Sequence, residues 1–490
     1  MMPLSRLLVP LALLLTVFLP GAARAGDKKP ARPNILFIMS DDHASAAIGA
    51  YGSWLKDVVR TPNIDRLAKQ GMRFTTTLVT NSICTPCRAA ILTGKYSHKN
   101  GVYTLQDPLD PKTQHVAALL QRAGYQTAIF GKWHLHTDPT GFDHWNILPG
   151  QGRYHDPIMR AKDGKKMEHK GYACDVTTDL TIQWLKKRDK DRPFLALCHF
   201  KAPHRPWDPA SRFAKLYENT KIPEPPTLLD DYKNRSKAAA EATLKIGENN
   251  NKRDLGEDPP KGLDRDGLRR WAYQIYMKRY LSCVAAVDEN VGRLLAFLEA
   301  EGLADNTIVI YTSDQGFFLG EHGFYDKRFM YEPSLRTPLI VRYPGHIPAG
   351  KVNDDMVLNI DFAPTFLDYA GLKAPADMQG KSIRSILQGK TPKDWRTSMY
   401  YRYWMHLADH GVPAHYGIRT TRYSLIYYYG QPLGMKGALK RPTEPEWELF
   451  DLQKDPQQMR NVFNDPAYGQ TVRELRAELD RLRKEVGDNR

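Results

Sequence analysis

Four short apolar runs constrain this chain more than any other feature. Residues 34–39, 126–130, 194–200 and 307–311 are each dominated by apolar side chains, and each ends on a polar cluster. Apolar runs of this length, without alternation, suit strands buried on both faces of a parallel sheet. Helical patterns separate them. The clearest passes through Val284, Val287, Val291, Leu294, Leu295 and Leu298 and stops near Gly302, a C-terminal cap. Strands alternating with helices predict an open α/β sheet covered by helices on both faces.

The clusters that follow the runs are Ser40-Asp41-Asp42-His43, Gly131-Lys132-Trp133-His134, Lys201-Ala202-Pro203-His204 and Ser313-Asp314-Gln315-Gly316. Ligands of open α/β sheets bind at the carboxyl ends of the strands, so the four clusters are expected to converge on one site. Asp41, Asp42 and Asp314 with the amide oxygen of Gln315 form a hard-oxygen set, suited to Ca²⁺ or Mg²⁺ rather than zinc. Adjacent carboxylates also serve as plain helix caps. Two such groups at two strand ends count against that alternative.

At 490 residues the chain is long enough for two or three units, and 42% hydrophobic residues exclude a mostly disordered protein. The formal net charge of +15 favours a polyanionic partner. No zinc-finger spacing, basic heptad or aromatic RNA-binding signature accompanies that charge, which counts against nucleic acid. Residues 1–25 have the pattern of a signal peptide, with Arg6, an apolar stretch over 7–18 and Ala23-Arg24-Ala25 as the cleavage site. The stretch is too short to span a bilayer, and no cysteine sits at the cleavage site, so the expectation is a periplasmic or secreted protein without a stable membrane anchor.

Residues 217–270 are polar and Pro-containing, and are expected to form a surface insertion, without an independent fold, along a substrate cleft. Pro and Gly cluster between Gly371 and Trp395. A boundary there gives a catalytic domain over 33–372 and a smaller C-terminal domain over 373–490. The latter has a strand over 422–429 and an amphipathic helix through Val472, Leu475, Leu479 and Leu482, an α+β pattern.

The segment Cys84-Thr85-Pro86-Cys87-Arg88 precedes Ala89-Ala90-Ile91-Leu92-Thr93-Gly94-Lys95. As a Cys-x-x-Cys pair it would support redox chemistry. That reading leaves the carboxylates, lysines and histidines without a role. As Cys-x-Pro-x-Arg followed by a short helix and Thr-Gly, it resembles the signature of type I, formylglycine-dependent sulfatases. The resemblance continues at Asp41-Asp42, Gly131-Lys132-x-His134, His204, Asp314-Gln315-Gly316 and Leu319-Gly320-Glu321-His322-Gly323. It extends through Asp326-Lys327-Arg328 to Gly417-Ile418-Arg419 and Glu448-Leu449-Phe450-Asp451-Leu452, in family order.

The resemblance implies an alkaline-phosphatase-like fold, a large α/β sandwich domain with a smaller C-terminal α+β domain. It implies that Cys84 is oxidised by a maturation enzyme to formylglycine (3-oxoalanine), whose hydrate attacks sulfur, and that Asp41, Asp42, Asp314 and Gln315 hold Ca²⁺. Arg88 would hold the formylglycine hydroxyls, with His134 assisting proton movement there. Lys132 and Lys327 would neutralise the sulfate, and His204 would protonate the leaving oxygen. His98, His322 and Arg328 are candidate substrate contacts. Two positions depart from the commoner family pattern: Cys87 where Ser is usual, and Gln315 where Asn or His is usual. Asp326-Lys327-Arg328 before an aromatic-Met-Tyr-Glu segment is similar to enzymes acting on sulfated amino sugars, notably N-acetylglucosamine-6-sulfatases. Iduronate-2-sulfatases and sulfatases of algal polysaccharides stay open. So do a phosphonate monoester or phosphodiester hydrolase of the same superfamily and a non-catalytic glycan-binding relative.

Overall fold

The computed structural model describes residues 32–490, so the signal segment expected over 1–25 lies outside the described residues. A ten-stranded sheet forms its frame. In chain order its strands are β1 (Asn34–Ser40), β2 (Met72–Phe74), β3 (Gln126–Lys132), β4 (His144–Leu148) and β5 (Ile158–Ala161). Then come β6 (Lys166–Glu168), β7 (Phe194–His199), β8 (Thr307–Ser313), β9 (Leu339–Arg342) and β10 (Lys351–Asn353). They lie side by side as β10-β2-β9-β8-β1-β7-β3-β4-β5-β6. The central strands β8, β1, β7, β3 and β4 are mutually parallel, and antiparallel pairing begins at β9 on one side and β5 on the other.

The four apolar runs are thus four neighbouring strands, each buried along its whole length. Alternate side chains of β1 enter two different cores: Leu36 and Ile38 one, Ile35, Phe37 and Met39 the other. Helices α1 (Pro62–Gln70), α2 (Cys84–Thr93), α3 (Val116–Arg122), α4 (Ala173–Lys187), α5 (Arg265–Ala300) and α6 (Phe362–Tyr369) fill both faces. The first core takes Leu67 of α1, Leu185 of α4 and Leu294 of α5; the second takes Leu120 of α3 and Phe366 of α6. Helix α5 ends just before Gly302, which is left-handed at φ +64°.

A second sheet of four antiparallel strands follows: β11 (Ser398–Tyr403), β12 (His415–Thr420), β13 (Tyr423–Tyr428) and β14 (Glu446–Asp451). Helix α7 (Gly469–Val486) buries Leu475, Leu479, Leu482 and Val486 against it. Ile418 and Leu425 of this sheet share one core cluster with Leu36 of β1, so the two sheets are joined by continuous apolar packing. The polar segment expected as a surface insertion over 217–270 enters that same core through Ile222, Leu228, Leu244 and Ile246. These apolar residues are scattered among polar ones, without a period to betray them. From Arg265 the segment is already the first turn of α5.

Candidate active site

The carboxyl ends of β1, β3, β7 and β8 meet the amino end of α2, and buried charge collects there. Asp42 adopts φ +65°, a left-handed turn directly after β1. Extended backbone would send adjacent side chains to opposite faces; this turn brings Asp42 round beside Asp41. One ligand atom each of Asp41, Asp42 and Asp314 lies within 4.8 Å of the others. Gln315 donates its amide N–H to Asp42 Oδ1, while its Oε1 is a buried acceptor with no donor in reach among the described residues. Burial, with the neighbouring carboxylates, pushes the Asp42 carboxyl up to about 7 against the pull of Lys327. Burial and Asp41 push Asp314 up to about 6 against Arg88. Burial raises Asp41 too, but Lys132, His204 and Arg88 outweigh it and hold this carboxyl well below the usual range.

Crowded carboxylates beside an unsatisfied amide oxygen make a donor set that fits a hard divalent cation. Asp41, Cys84 and His204 also lie close enough to be a second ligand set. Burial pushes the Cys84 thiol far up, however, and a protonated thiol is a poor metal ligand.

Cys84 is the first residue of α2, where unpaired N–H groups and the helix dipole favour negative charge. Its Sγ lies 3.6 Å from Asp41 Oδ1 and 4.0 Å from Gln315 Nε2. One turn on, Arg88 donates to Asp314 Oδ2 from Nε at 3.1 Å and from NH2 at 2.9 Å, and from NH1 to the Lys132 carbonyl at 2.8 Å. Lys132 Nζ pairs with Asp41, and Lys327 Nζ sits 2.6 and 2.7 Å from the two oxygens of Asp42. Burial opposes charge on Lys327, but Asp42, together with Cys84, Asp326 and Asp41, more than reverses this. Cys87 is also a free, buried thiol, bonded to the Asn81 carbonyl at 3.0 Å and pushed up by burial. With both thiols held protonated, the redox alternative lacks its thiolate.

Glycine fixes the approach of two of these strand ends. Gly131 has φ +90°, and a Cβ there would stand 2.0 Å from the His199 carbonyl oxygen. A Cβ on Gly316 would meet the carbonyl oxygens of Arg336 and Pro333 at 2.3 Å. Side chains at either position would push apart the backbones that carry Lys132 and Gln315.

His134, left-handed at φ +54°, presents a buried Nδ1 without a partner among the described residues. Burial, Lys132 and Arg88 lower its pKa to about 2, so the ring is neutral, and the two cations oppose its protonation. His204 Nδ1 lies 2.6 Å from the Arg205 carbonyl, which can only accept, so Nδ1 carries hydrogen. Its Nε2 faces the site, 3.8 Å from Asp42 Oδ2.

A cavity of about 480 Å³ opens above Cys84, with His204, Lys327 and Arg328 in its wall. Arg328 is fixed there by Asp326 at 3.2 Å and the Tyr403 hydroxyl at 3.0 Å. The two other expected contacts are not brought to this wall. His98 is drawn to the end of α7, 2.9 Å from the Val486 carbonyl. His322 turns into the core, 2.7 Å from Arg235 and 3.2 Å from Asp230. The cavity also uses Gln151, Arg205, Thr243, Asn249, Asp409 and His410, none of which the sequence singled out. Arg205 adjoins His204 and was within reach of the motif; the rest come from loops without a pattern.

A sulfatase family model matches residues 33–372, and a second, N-sulphoglucosamine sulphohydrolase, C-terminal, matches residues 320–485. The chain is 43% identical over 530 residues to an N-acetylglucosamine-6-O-sulfatase of Bacteroides thetaiotaomicron, covering 99% of this chain and 92% of that one. A solved structure of a protein in complex with its substrate D-glucosamine-2-N,6-O-disulfate superposes with a TM-score of 0.88 at 43% identity, covering 94% of this chain and 99% of that one. A phosphonate monoester hydrolase from Silicibacter pomeroyi shares the fold, with a TM-score of 0.73 at 23% identity over 93% of this chain and 96% of that one.

Proposed function

The chain belongs to the sulfatase family, with its alkaline-phosphatase-like fold, and from that premise we propose that it removes the 6-O-sulfate from a glucosamine unit of a sulfated glycan. The observation that carries this reading is the strand-end pole, where three carboxylates and a spare amide oxygen adjoin Cys84 and two lysines. The sugar and position follow the 43% identical relative and the disulfated glucosamine held by the matching structure.

In this reading Asp41, Asp42, Asp314 and Gln315 hold Ca²⁺, which when bound supplies a Lewis-acid face to the sulfate oxygens. Cys84, matured to formylglycine by a separate enzyme, supplies an aldehyde hydrate as nucleophile. The chain's own groups do the rest. With Asp41 and Asp42 engaged in holding such a cation, Lys132 and Lys327 would be left to face the anionic ester and the charge that grows in its transition state. Arg88 bridges Asp314 and the Lys132 carbonyl, which ties the amino end of α2 to two strand ends. His134 assists proton movement at position 84, its protonated form favoured only once an anionic ester offsets Lys132 and Arg88. With hydrogen already on Nδ1, His204 delivers a proton from Nε2 as the imidazolium. Burial, Lys132 and Lys327 disfavour that form, and an anionic ester in the pocket favours it.

Among the described residues no helix is long and apolar enough to cross a membrane. We assign the chain to the periplasm or the exterior on its first 25 residues, a reading checked by sequencing the amino terminus of the protein recovered from its host.

The function is tested by giving the matured enzyme 6-O-sulfated N-acetylglucosamine, a 2-O-sulfated uronate, an aryl sulfate and an aryl phosphonate. Release of N-acetylglucosamine at the highest kcat/KM is expected. Preference for the uronate would overturn the sugar assignment, and preference for the phosphonate would overturn the sulfatase reading.

A further inference from the structure

A second cavity, of about 450 Å³, adjoins the first and shares Gln151, His204 and Arg205 with it. It therefore opens on the side of the site where His204 meets the leaving group. Its walls carry Arg153, Lys201, Arg205 and Arg253 against Asp208 and Asp254. The two carboxylates are paired, Asp254 within the wall itself. Asp254 receives Arg205 at 3.1 and 2.7 Å, and Asp208 lies 3.5 Å from His155 Nε2.

Lys201 is the exception among these groups. Only 3% of it is exposed, yet among the described residues no carboxylate stands at ion-pairing distance from its ammonium; Asp41 and Asp42 act on it from farther off, against the repulsion of Lys132. It rests instead on the face of Tyr154, 4.7 Å from the ring centre. Tyr154 is itself fixed, donating to the His204 carbonyl at 2.5 Å and stacking on Tyr172. A buried cation without a counter-ion is costly, and such groups are retained where they meet one in the working complex. Exposed Arg253 adds a further positive charge at the rim.

We propose that this second cavity is an anion subsite, anchored by Lys201, for another sulfate or carboxylate carried by the glycan on the leaving-group side of the ester. The inference rests on the glycan sulfatase reading above, and it makes the enzyme selective for densely charged glycans. Lys201 acts on binding, apart from the bond that breaks.

The test compares the matured wild type with Lys201→Met and Arg253→Gln on glucosamine 6-O-sulfate and on glucosamine-2-N,6-O-disulfate. A uronate-linked 6-O-sulfated disaccharide separates carboxylate from sulfate as the second anion. Lys201→Met is expected to raise KM about tenfold on at least one doubly charged substrate, with less than about a twofold change on the singly charged sugar. Exposed Arg253→Gln, which leaves the core untouched, is expected to give the same pattern at about two- to threefold, shrinking with salt. Equal losses on all substrates, a loss in kcat alone, or no loss would overturn the subsite. Calorimetric binding of the mono- and disulfated sugars to the unmatured Cys84 chain gives a readout without turnover. Wild type should prefer the disulfate, and Lys201→Met should lose that preference. If the wild type turns over none of the sugars, the proposed function fails, while the binding comparison still decides the subsite.

Discussion

Two regions of this molecule bury charge and use it in opposite ways. At the junction of the two sheets, the Glu332 carboxylate receives Arg419 from Nε at 2.9 Å and from NH2 at 3.1 Å, and pairs with Arg336 as well. Burial raises its pKa, but the two guanidinium groups outweigh this and bring it down to about 2. At the strand-end pole, Asp42 and Asp314 are instead pushed up to about 7 and about 6, and Gln315 keeps an acceptor without a donor. The junction is complete in itself. The pole keeps a ligand atom to spare, which the proposed cation would use. Buried charge alone therefore does not mark a site; crowded like charge with a spare ligand atom does.

That contrast is broken most forcefully by exchanging the outcomes of two substitutions. Asp42→Asn should lower turnover by at least about 10³-fold while changing the stability of the chelator-treated protein little, because relief of the carboxylate crowding offsets the lost pairing of Lys327. Turnover assays and thermal melts in chelator check both halves. Glu332→Gln should do the reverse, losing about 3 kcal/mol of stability at neutral pH with turnover within about twofold. The sign follows from the depressed value. The unfolded carboxyl titrates near 4.5 and the folded one near 2, so the stabilisation is full above 4.5 and disappears as pH falls through 2. Denaturant melts from pH 6 down to about 2 should show this slope in the wild type and not in the variant.

Smaller effects sharpen the picture of the pole. His204→Gln should cost about 10²-fold on sugar sulfates and less on aryl sulfates, whose leaving groups need no proton. Parallel kcat measurements on the two substrate classes check it. Gln315→Asn shortens the arm of the spare acceptor and should weaken Ca²⁺ binding about tenfold without moving the melt of the chelated protein.

The sheet centre was legible in the sequence because parallel strands buried on both faces read as plain apolar runs, as in β1, β3, β7 and β8. Edge strands were not: β6 is Lys-Met-Glu and β10 is Lys-Val-Asn, too short and polar to separate from loop. The residues around Cys84 could be found because they sit at fixed offsets from strand ends. The outer wall could not, since Gln151, Thr243, Asn249 and His410 are placed by long-range packing. His98 and His322 show the converse. Both stand within recognisable stretches, yet one is taken by the end of α7 and the other by Arg235. Lys201 was visible in the motif before His204, but its lack of a counter-ion appears only in three dimensions.

Each catalytic role proposed above requires the pole to hold a divalent cation. Calorimetric titration of Ca²⁺ into the chelator-treated, purified chain tests this most directly, with Asp314→Asn as the comparison. One Ca²⁺ bound per wild-type chain, and none or far weaker binding in the variant, is the predicted result. A wild type that takes up no divalent cation, or a variant that binds it equally well, would contradict it.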